Sequence, residues 1–438
     1  MLAHEIAASG PTPELPSAGC PPGHPSPTWP EARQLAFDCA VALAPLDVPL
    51  PLAAGRTLTR DVAALQKLPH YDSSAMDGWA VNGSGPWVLT DHGCFVSPGR
   101  AIVIATGGLV PAGTQSILRK ESGQLHQNAD GSLLLRLNDN AKEGEPGLGQ
   151  HIRPAAEEAV AGELLIPAGT TLNPGHIALA AVAGHDTLQV QPRPVVGIVL
   201  TGSEVVTQGV PAPGQVRDTF GPQLGTVISL LGGTSAGSLR IGDSYPDWLA
   251  ALGGSDAFPG VMPDVIVTTG GTGCSGTDHF RAAVAALGGR LLLDGIAMRP
   301  GHPAVLAELP DSRFVVGLPG NPLAAMMALI TLADPLLAAL GGRPLSAVGQ
   351  VTSAADVDPY PGRTRLIPCR FIEGLAFPAS HTGPGMMRGL AWADGVMAVP
   401  PGGVQSGEPV PVLPLPWTQA NQKNPSTTHR ARSTAWPA

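Results

Sequence analysis

Charge and aromatic rings are both sparse in this 438-residue chain, at 13% and 4% of its residues. The charges sum to −9 and no basic segment stands out, which argues against a general nucleic-acid binder or a binder of acidic membrane surfaces. A local basic pocket for a small anion remains open, because surface charge beyond about 8 Å is largely screened. Cysteine is scarce as well. Cys20, Cys39, Cys94, Cys274 and Cys369 are scattered, odd in number and form no CxxC pair. Neither a zinc site nor a disulfide framework is expected, and a reducing cytoplasm is the natural setting. The first residues lack a basic stretch followed by a long apolar core, so no signal peptide is expected. Long hydrophobic runs are missing too: the stretch 323–333 is shorter than a bilayer span and is broken by Asp334-Pro335. A soluble cytoplasmic protein with no membrane partner follows.

Glycine (56) and proline (47) are abundant and spread along the chain, which fits short elements joined by many turns. The length exceeds one ordinary core and calls for two to four domains. Residues 1–28 and the tail 417–438 are Pro-rich or polar and are expected to be disordered. A mixed α/β domain is expected from 29–68 together with 151–191. Its first helix would carry Leu35, Cys39, Val41 and Leu43 on one face, and GHIALAAVAG would be an Ala-rich helix. Between the two parts, 69–150 reads as an inserted β-rich module, with short strands at 87–89, 101–104, 116–118 and 132–137. The stretch 344–416 is a further β-rich module with Pro/Gly turns.

The clearest pattern lies in 192–343. Val265, Ile266 and Val267 form an apolar run with no polar face, which suits a strand buried on both sides of a parallel sheet. The run stops in TTGGTGCSGTD, and a helix-period segment follows with Phe280, Val284 and Leu287 on one face. Asp278 stands where that helix begins, as an N-cap, a role compatible with metal ligation. Strands also read at 195–200, 238–241, 290–294 and 314–317, alternating with helices at 221–231, 246–252 and 323–332. That alternation predicts a three-layer doubly wound α/β domain whose ligands gather where strands finish. The polar turns TGSE, TTGGTG, RPGHP and LPGNP all fall at such places. A Gly-rich turn offers backbone N–H groups to an anion, although TGG alone is also an ordinary tight connection.

In order and spacing, SSAMDGWAV, Thr106-Gly107, VLTGSE, the TTGG…D turn, AMRPGHP and LPGNP resemble the molybdopterin molybdenumtransferase family, which includes bacterial MoeA and the carboxy-terminal part of gephyrin. The resemblance spans about residues 30–415. It implies an elongated multidomain α/β protein with β-rich modules and a helical/mixed dimerisation region, assembled as a homodimer and working beside other enzymes of the molybdenum-cofactor pathway. It also implies a transferase that consumes adenylylated molybdopterin and molybdate with Mg2+ and releases AMP. Asp77, Glu158, Glu204 and Asp278 match the family's acidic cluster, and hard oxygen ligands of this kind suit magnesium bridging to phosphate. For Asp77 the residues alone leave a solvated turn carboxylate equally open. Asp77, Glu204, Asp278, Arg299 and His302 are the implied catalytic groups. Thr106, Arg153, Thr269, Gly270, Gly271, Pro319, Gly320, Asn321 and Pro322 are the implied substrate-binding positions, the prolines and Gly320 as turn formers.

Several positions depart from the family pattern. Arg299 and His302 stand where lysines are usual. Arginine keeps the charge, but an unperturbed histidine is protonated only to about a quarter at pH 7; a cationic His302 would make turnover rise from pH 8 to 6.5. Glu158 replaces Asp, Ser203 the Asp of TGDE, Val103 an Arg and Pro384 a Ser, while Gly273-Cys274-Ser275 replaces SxG. Cys274 reads as a small buried turn residue, with a soft ligand or redox-sensitive thiol as the alternative. These changes leave three readings open: a divergent active enzyme (with molybdate or tungstate as oxyanion), a pterin-binding or scaffold paralogue without turnover, or a pterin-nucleotide hydrolase.

Overall fold

The computed structural model describes residues 26–91, 93–254, 257–273 and 278–418. The expectations for the first 25 residues, for the tail from 419 and for Cys274 lie outside the described residues. The described chain forms two compact units, one from the residues up to Ala44 together with those from Gln191 onward, the other from Pro45–Val190.

The first unit is built on a six-stranded sheet of β1 (Val195–Leu200), β2 (Thr234–Arg240), β3 (Val265–Thr269), β4 (Arg290–Asp294), β5 (Val305–Glu308) and β6 (Phe314–Leu318), in the spatial order β2-β1-β3-β6-β5-β4. The first four in that order are parallel; β5 pairs antiparallel with both β6 and β4 at the edge. The doubly wound pattern therefore ends in an antiparallel flank. Its physical cause is the short link 309–313 between β5 and β6, which is long enough for a hairpin and far too short for a parallel crossover. Apolar runs with no polar face occur because both sheet faces are covered. Val265 and Val267 join one core and Ile266 the other.

Helices α1 (Trp29–Asp38), α2 (Leu224–Leu230) and the long α5 (Pro322–Leu340) pack on the first face. Helices α3 (Tyr245–Gly253) and α4 (Phe280–Ala286) pack on the second, where Trp248 and Phe280 meet edge to face with ring centroids 6.1 Å apart. A reciprocal capping box between Thr28 and Glu31, with Pro30 in the first turn, starts α1 at Trp29. That start fixes the buried face as Trp29, Ala32, Arg33 and Ala36. The helix ends at Asp38, so Val41 and Leu43 lie beyond it, and Val41 is 86% exposed.

Helix α5 is long and apolar enough to cross a bilayer, but it is wholly buried, as an all-round apolar core helix must be. The sequence places its break at Asp334-Pro335, whereas the helix continues to Leu340. A widened π turn at Leu329–Ala333 lies directly before the proline, where the ring would otherwise meet the carbonyl of Thr331. Asp334 is not stranded there: Arg33 lies 3.9 Å away and the Ser346 hydroxyl donates to it at 3.2 Å. Burial pushes its carboxyl above the usual range, with Arg33 opposing.

The C-terminal part of this unit is a barrel of β7 (Gly349–Ser353), β8 (Thr364–Ile372), β9 (Leu375–Pro378), β10 (Gly395–Val399) and β11 (Pro409–Pro414). The nine-residue β8 pairs with β10 along Arg365–Cys369 and with β9 along Cys369–Ile372, which closes the ring.

The second unit holds a six-stranded sheet, in spatial order Ser116–Arg119, Gly78–Val81, Arg100–Ile104, Trp87–Leu89, Leu133–Leu137 and Gly123–Gln127. Beside it Leu46–Pro49 pairs with Thr187–Val190, Val62–Ala63 with Leu164–Ile166, and the helix Pro174–Val182 begins at an Asn173 cap.

Candidate functional site

At the carboxyl ends of β1, β3 and β6 the first unit has a pocket of about 690 Å³. Three of the four sequence-predicted turns meet there, and each is held by contacts with its neighbours. After β1, Val205 N–H closes the TGSE turn on the Gly202 carbonyl at 3.2 Å, and the Thr201 hydroxyl donates to the Thr269 carbonyl of β3. Ser203 donates through both its backbone N–H and its hydroxyl to Asp243, at 3.0 and 2.5 Å. That carboxylate therefore anchors the turn that presents Glu204 to the pocket.

After β3 come Gly270 and Gly271, with φ of 79° and 67°. Both lie in the left-handed region, and both are packed too closely for a side chain. A Cβ on Gly270 would sit 2.6 Å from the Thr201 hydroxyl, and one on Gly271 2.3 Å from the Trp248 ring. Asp278 lines the pocket beyond this turn, its carboxylate within 2.7 Å of where a Cβ on Gly273 would stand. The cap position of α4 falls to His279, without a side-chain cap bond, so the N-cap expected at Asp278 is corrected by one residue.

After β6, Gly320, Asn321 and Pro322 reach the pocket wall, while Pro319 is not among the lining residues. Asn321 holds the cap position of α5. The first free N–H groups of that helix are taken internally: Leu323 and Ala324 donate to the Pro384 carbonyl at 2.8 and 3.1 Å. The adjoining Gly385 lines the pocket, so the barrel contributes to its wall.

A further wall escaped the sequence reading. It consists of Arg217, Asp218, Thr219 and Phe220, with Arg240 and Asp243 at the end of β2. Asp218 accepts from Phe220 and Gly221 N–H at 2.9 and 3.0 Å and from Arg240 at 2.5 Å. The available signal was the local pattern RDTFG before an apolar helix, since Asp readily folds its own chain into such a turn.

Arg299 and His302 do not line this pocket. Met298–Arg299 is drawn onto β8 as an added parallel strand, opposite Thr364 and Arg365. There the Arg299 guanidinium donates to the Tyr360 hydroxyl at 2.6 Å and lies 5.0 Å from its ring centroid. The His302 Nδ1 is 2.7 Å from the Ile296 carbonyl, a contact that fixes the RPGHP turn.

In the second unit, Asp77, Thr106 and Arg153 come from three segments hydrogen-bonded to one another. Ile152–Arg153 pairs with Ser73–Ser74, Ser74 N–H donates to the Gly108 carbonyl, and Ala75 N–H donates to the His151 carbonyl. Thr106 donates to one oxygen of the exposed Asp77 carboxylate through its N–H at 2.7 Å and its hydroxyl at 2.8 Å. The backbone bond, then the hydroxyl, holds this carboxyl below the usual range. Glu158 is exposed, and its N–H donates to the Leu68 carbonyl at 2.8 Å.

The four expected metal ligands are thus divided, Asp77 and Glu158 in one unit and Glu204 and Asp278 in the other. Among the described residues, no group of three or more His, Cys, Asp or Glu side chains is gathered to hold a metal ion. Glu204 and Asp278 in one pocket do fit a magnesium ion held jointly with substrate oxygens, since Mg2+ commonly uses one or two carboxylates, phosphate and water.

Comparison with known proteins agrees along the chain. The MoeA N-terminal region (domain I and II) matches residues 28–184, a probable molybdopterin binding domain 197–339, and the MoeA C-terminal region (domain IV) 350–415. A molybdopterin molybdenumtransferase of a Nostoc species is 30% identical over 315 residues, covering 67% of this chain and 69% of that protein. The Bacillus subtilis molybdopterin molybdenumtransferase is 28% identical over 384 residues, covering 82% and 87%. The crystal structure of a molybdopterin biosynthesis moeA protein from Pyrococcus horikoshii shares the fold at a TM-score of 0.67 and 24% identity, covering 89% of this chain and 98% of that one. With its matched regions in order and its relatives aligned over most of their length, the chain belongs to the molybdopterin molybdenumtransferase family.

Proposed function

We propose that this enzyme of molybdenum cofactor biosynthesis inserts molybdate into adenylylated molybdopterin and releases AMP. The observation that carries this reading is the pocket at the ends of β1, β3 and β6. It combines a two-glycine turn, whose backbone can approach a ligand closely, with the carboxylates of Glu204 and Asp278. A pterin nucleotide brings a diphosphate, which needs N–H donors and a divalent cation. Gly270 and Gly271 supply the close backbone approach, and Asn321 supplies a polar side chain at the rim. Glu204 and Asp278 would hold Mg2+, whose chemistry when bound is to neutralise and polarise the phosphoanhydride. Asp243, through Ser203, keeps the turn that carries Glu204 in place. Asp77, oriented by Thr106, and Arg153 with Glu158 complete the set of residues assigned to substrate and ion.

A reducing, cytoplasmic setting belongs to this reading, on the scattered cysteine pattern with no CxxC pair. The homodimer implied by the resemblance belongs to this reading, and a monomer mass by light scattering would remove it. The central test is incubation with adenylylated molybdopterin, Mg2+ and molybdate. AMP release that depends on the oxyanion is expected. Binding without AMP would instead make the chain a scaffold, and AMP release without oxyanion would make it a hydrolase.

A further inference from the structure

The pocket lining holds four carboxylates, Glu204, Asp218, Asp243 and Asp278, against two guanidiniums, Arg217 and Arg240. Asp218 and Asp243 hold the pocket wall together. Asp218 is taken by two turn N–H groups and Arg240, and Asp243 by Ser203. Arg240 is in turn spent on Asp218, so the pair works as a latch for the loop 217–221. Arg217 differs from it. It enters no ion pair among the described residues, and it makes a 3.3 Å bond to the Val206 carbonyl through Nη1.

Its position is nonetheless set by backbone pairing. Val216–Arg217 pairs in parallel with Val205–Val206, Val216 N–H donates to the Glu204 carbonyl at 3.0 Å, and Asp218 N–H donates to the Val206 carbonyl at 2.9 Å. An exposed guanidinium with most of its five donors unspent thus stands in the lining, carried on a backbone segment paired one strand over from Glu204. Guanidinium presents paired N–H groups that match phosphate oxygens better than an ammonium does.

We propose that Arg217 is the phosphate-contacting cation of this pocket and sets its preference for a diphosphate-bearing ligand over the phosphate-poor pterin. The inference rests on the pocket assignment made above and adds a residue to it. It also locates the positive charge on the loop before α2, where the sequence had sought it at Arg299 and His302.

The test uses inorganic pyrophosphate as probe, titrated calorimetrically into the full-length protein with and without Mg2+. Arg217→Ala is expected to weaken Mg-pyrophosphate binding about tenfold and Arg217→Lys about threefold, with unchanged urea midpoints. Arg136→Ala, in the other unit, should leave the affinity unchanged. With adenylylated molybdopterin, Arg217→Ala should raise KM by a similar factor and leave kcat within about twofold. Unchanged affinity in Arg217→Ala, or no pyrophosphate binding by the wild type, overturns the proposal. A wild type that binds pyrophosphate through Arg217 but releases no AMP would overturn the reaction assigned above and leave this inference standing.

Discussion

Asp278 and Asp77 are both carboxylates on turns, yet the molecule holds them in different ways. Asp278 is half-buried in a pocket whose turns are held by close packing and by hydrogen bonds: Gly271 against the buried Trp248 ring, Gly270 against the Thr201 hydroxyl, and Ser203 bonded to Asp243. Asp77 is exposed, and its orientation depends on two hydrogen bonds from Thr106. The first place is tied to the hydrophobic core through Trp248, whereas the second rests on local polar contacts alone. Changes to the packed turn of the first should therefore cost stability, a change of its carboxylate alone should act on turnover, and changes in the second should act mainly through protonation and orientation.

The sharpest way to break the contrast is Asp278→Asn. Loss of one charge where phosphate and magnesium are assigned should lower turnover by about 100-fold or more. The urea midpoint should barely move, because the substitution keeps shape. If single-turnover AMP release survives within a few-fold, the pocket assignment fails. Gly271→Ala comes next and probes the packing itself. A methyl group has nowhere to go beside Trp248, and the backbone conformation is one that alanine resists, so a loss of about 3 kcal/mol is expected in urea unfolding. A loss under about 0.5 kcal/mol would show that the turn is free to move away from α3.

For the second place, Thr106→Val removes the hydroxyl but keeps the N–H. Asp77 has a depressed carboxyl, so its charged form survives to lower pH and any stability it adds is present above the ordinary carboxylate range and lost as pH falls through its folded value. Without the hydroxyl the Asp77 carboxyl should titrate at higher pH by NMR, and the acid limb of turnover should shift the same way. Turnover at pH 7 should fall only about threefold, from lost orientation. An unmoved titration would mean that the N–H alone sets this carboxylate.

The same contrast explains what could be read from the chain before folding. The apolar runs at 195–200, 265–267 and 314–317 announced the sheet because burial on both faces leaves a local trace. The turns after them announced the pocket for the same reason: glycine and small polar residues must stand where strands end and helices begin. Val305–Glu308 was missed because four residues between a proline-rich turn and a hairpin carry too little periodicity. Arg217, Arg240 and Asp243 were missed because only tertiary pairing brings the loop before α2 and the end of β2 to the same wall. Arg299 stands outside that pocket lining for the same kind of reason, since its partners Tyr360 and Arg365 lie on the barrel side.

The smallest effect is expected at His302, and it separates a turn-fixing histidine from a cationic one. The ring lies on the turn after Met298–Arg299, with Nδ1 2.7 Å from the Ile296 carbonyl, and it is absent from the pocket lining. An Nδ1 at that distance from a carbonyl must carry the proton and donate it, which holds Ile296 and His302 together across Gly301 and Pro300. Alanine at 302 loses this one bond, for about 1 kcal/mol in urea unfolding. Turnover should stay within about twofold of wild type and keep the same profile between pH 6.5 and 8. A wild-type rate that climbs toward pH 6.5 and flattens in His302→Ala would instead place a charged imidazole in the reaction. In that case the RPGHP turn would have to act on substrate from outside the pocket formed by the other three turns.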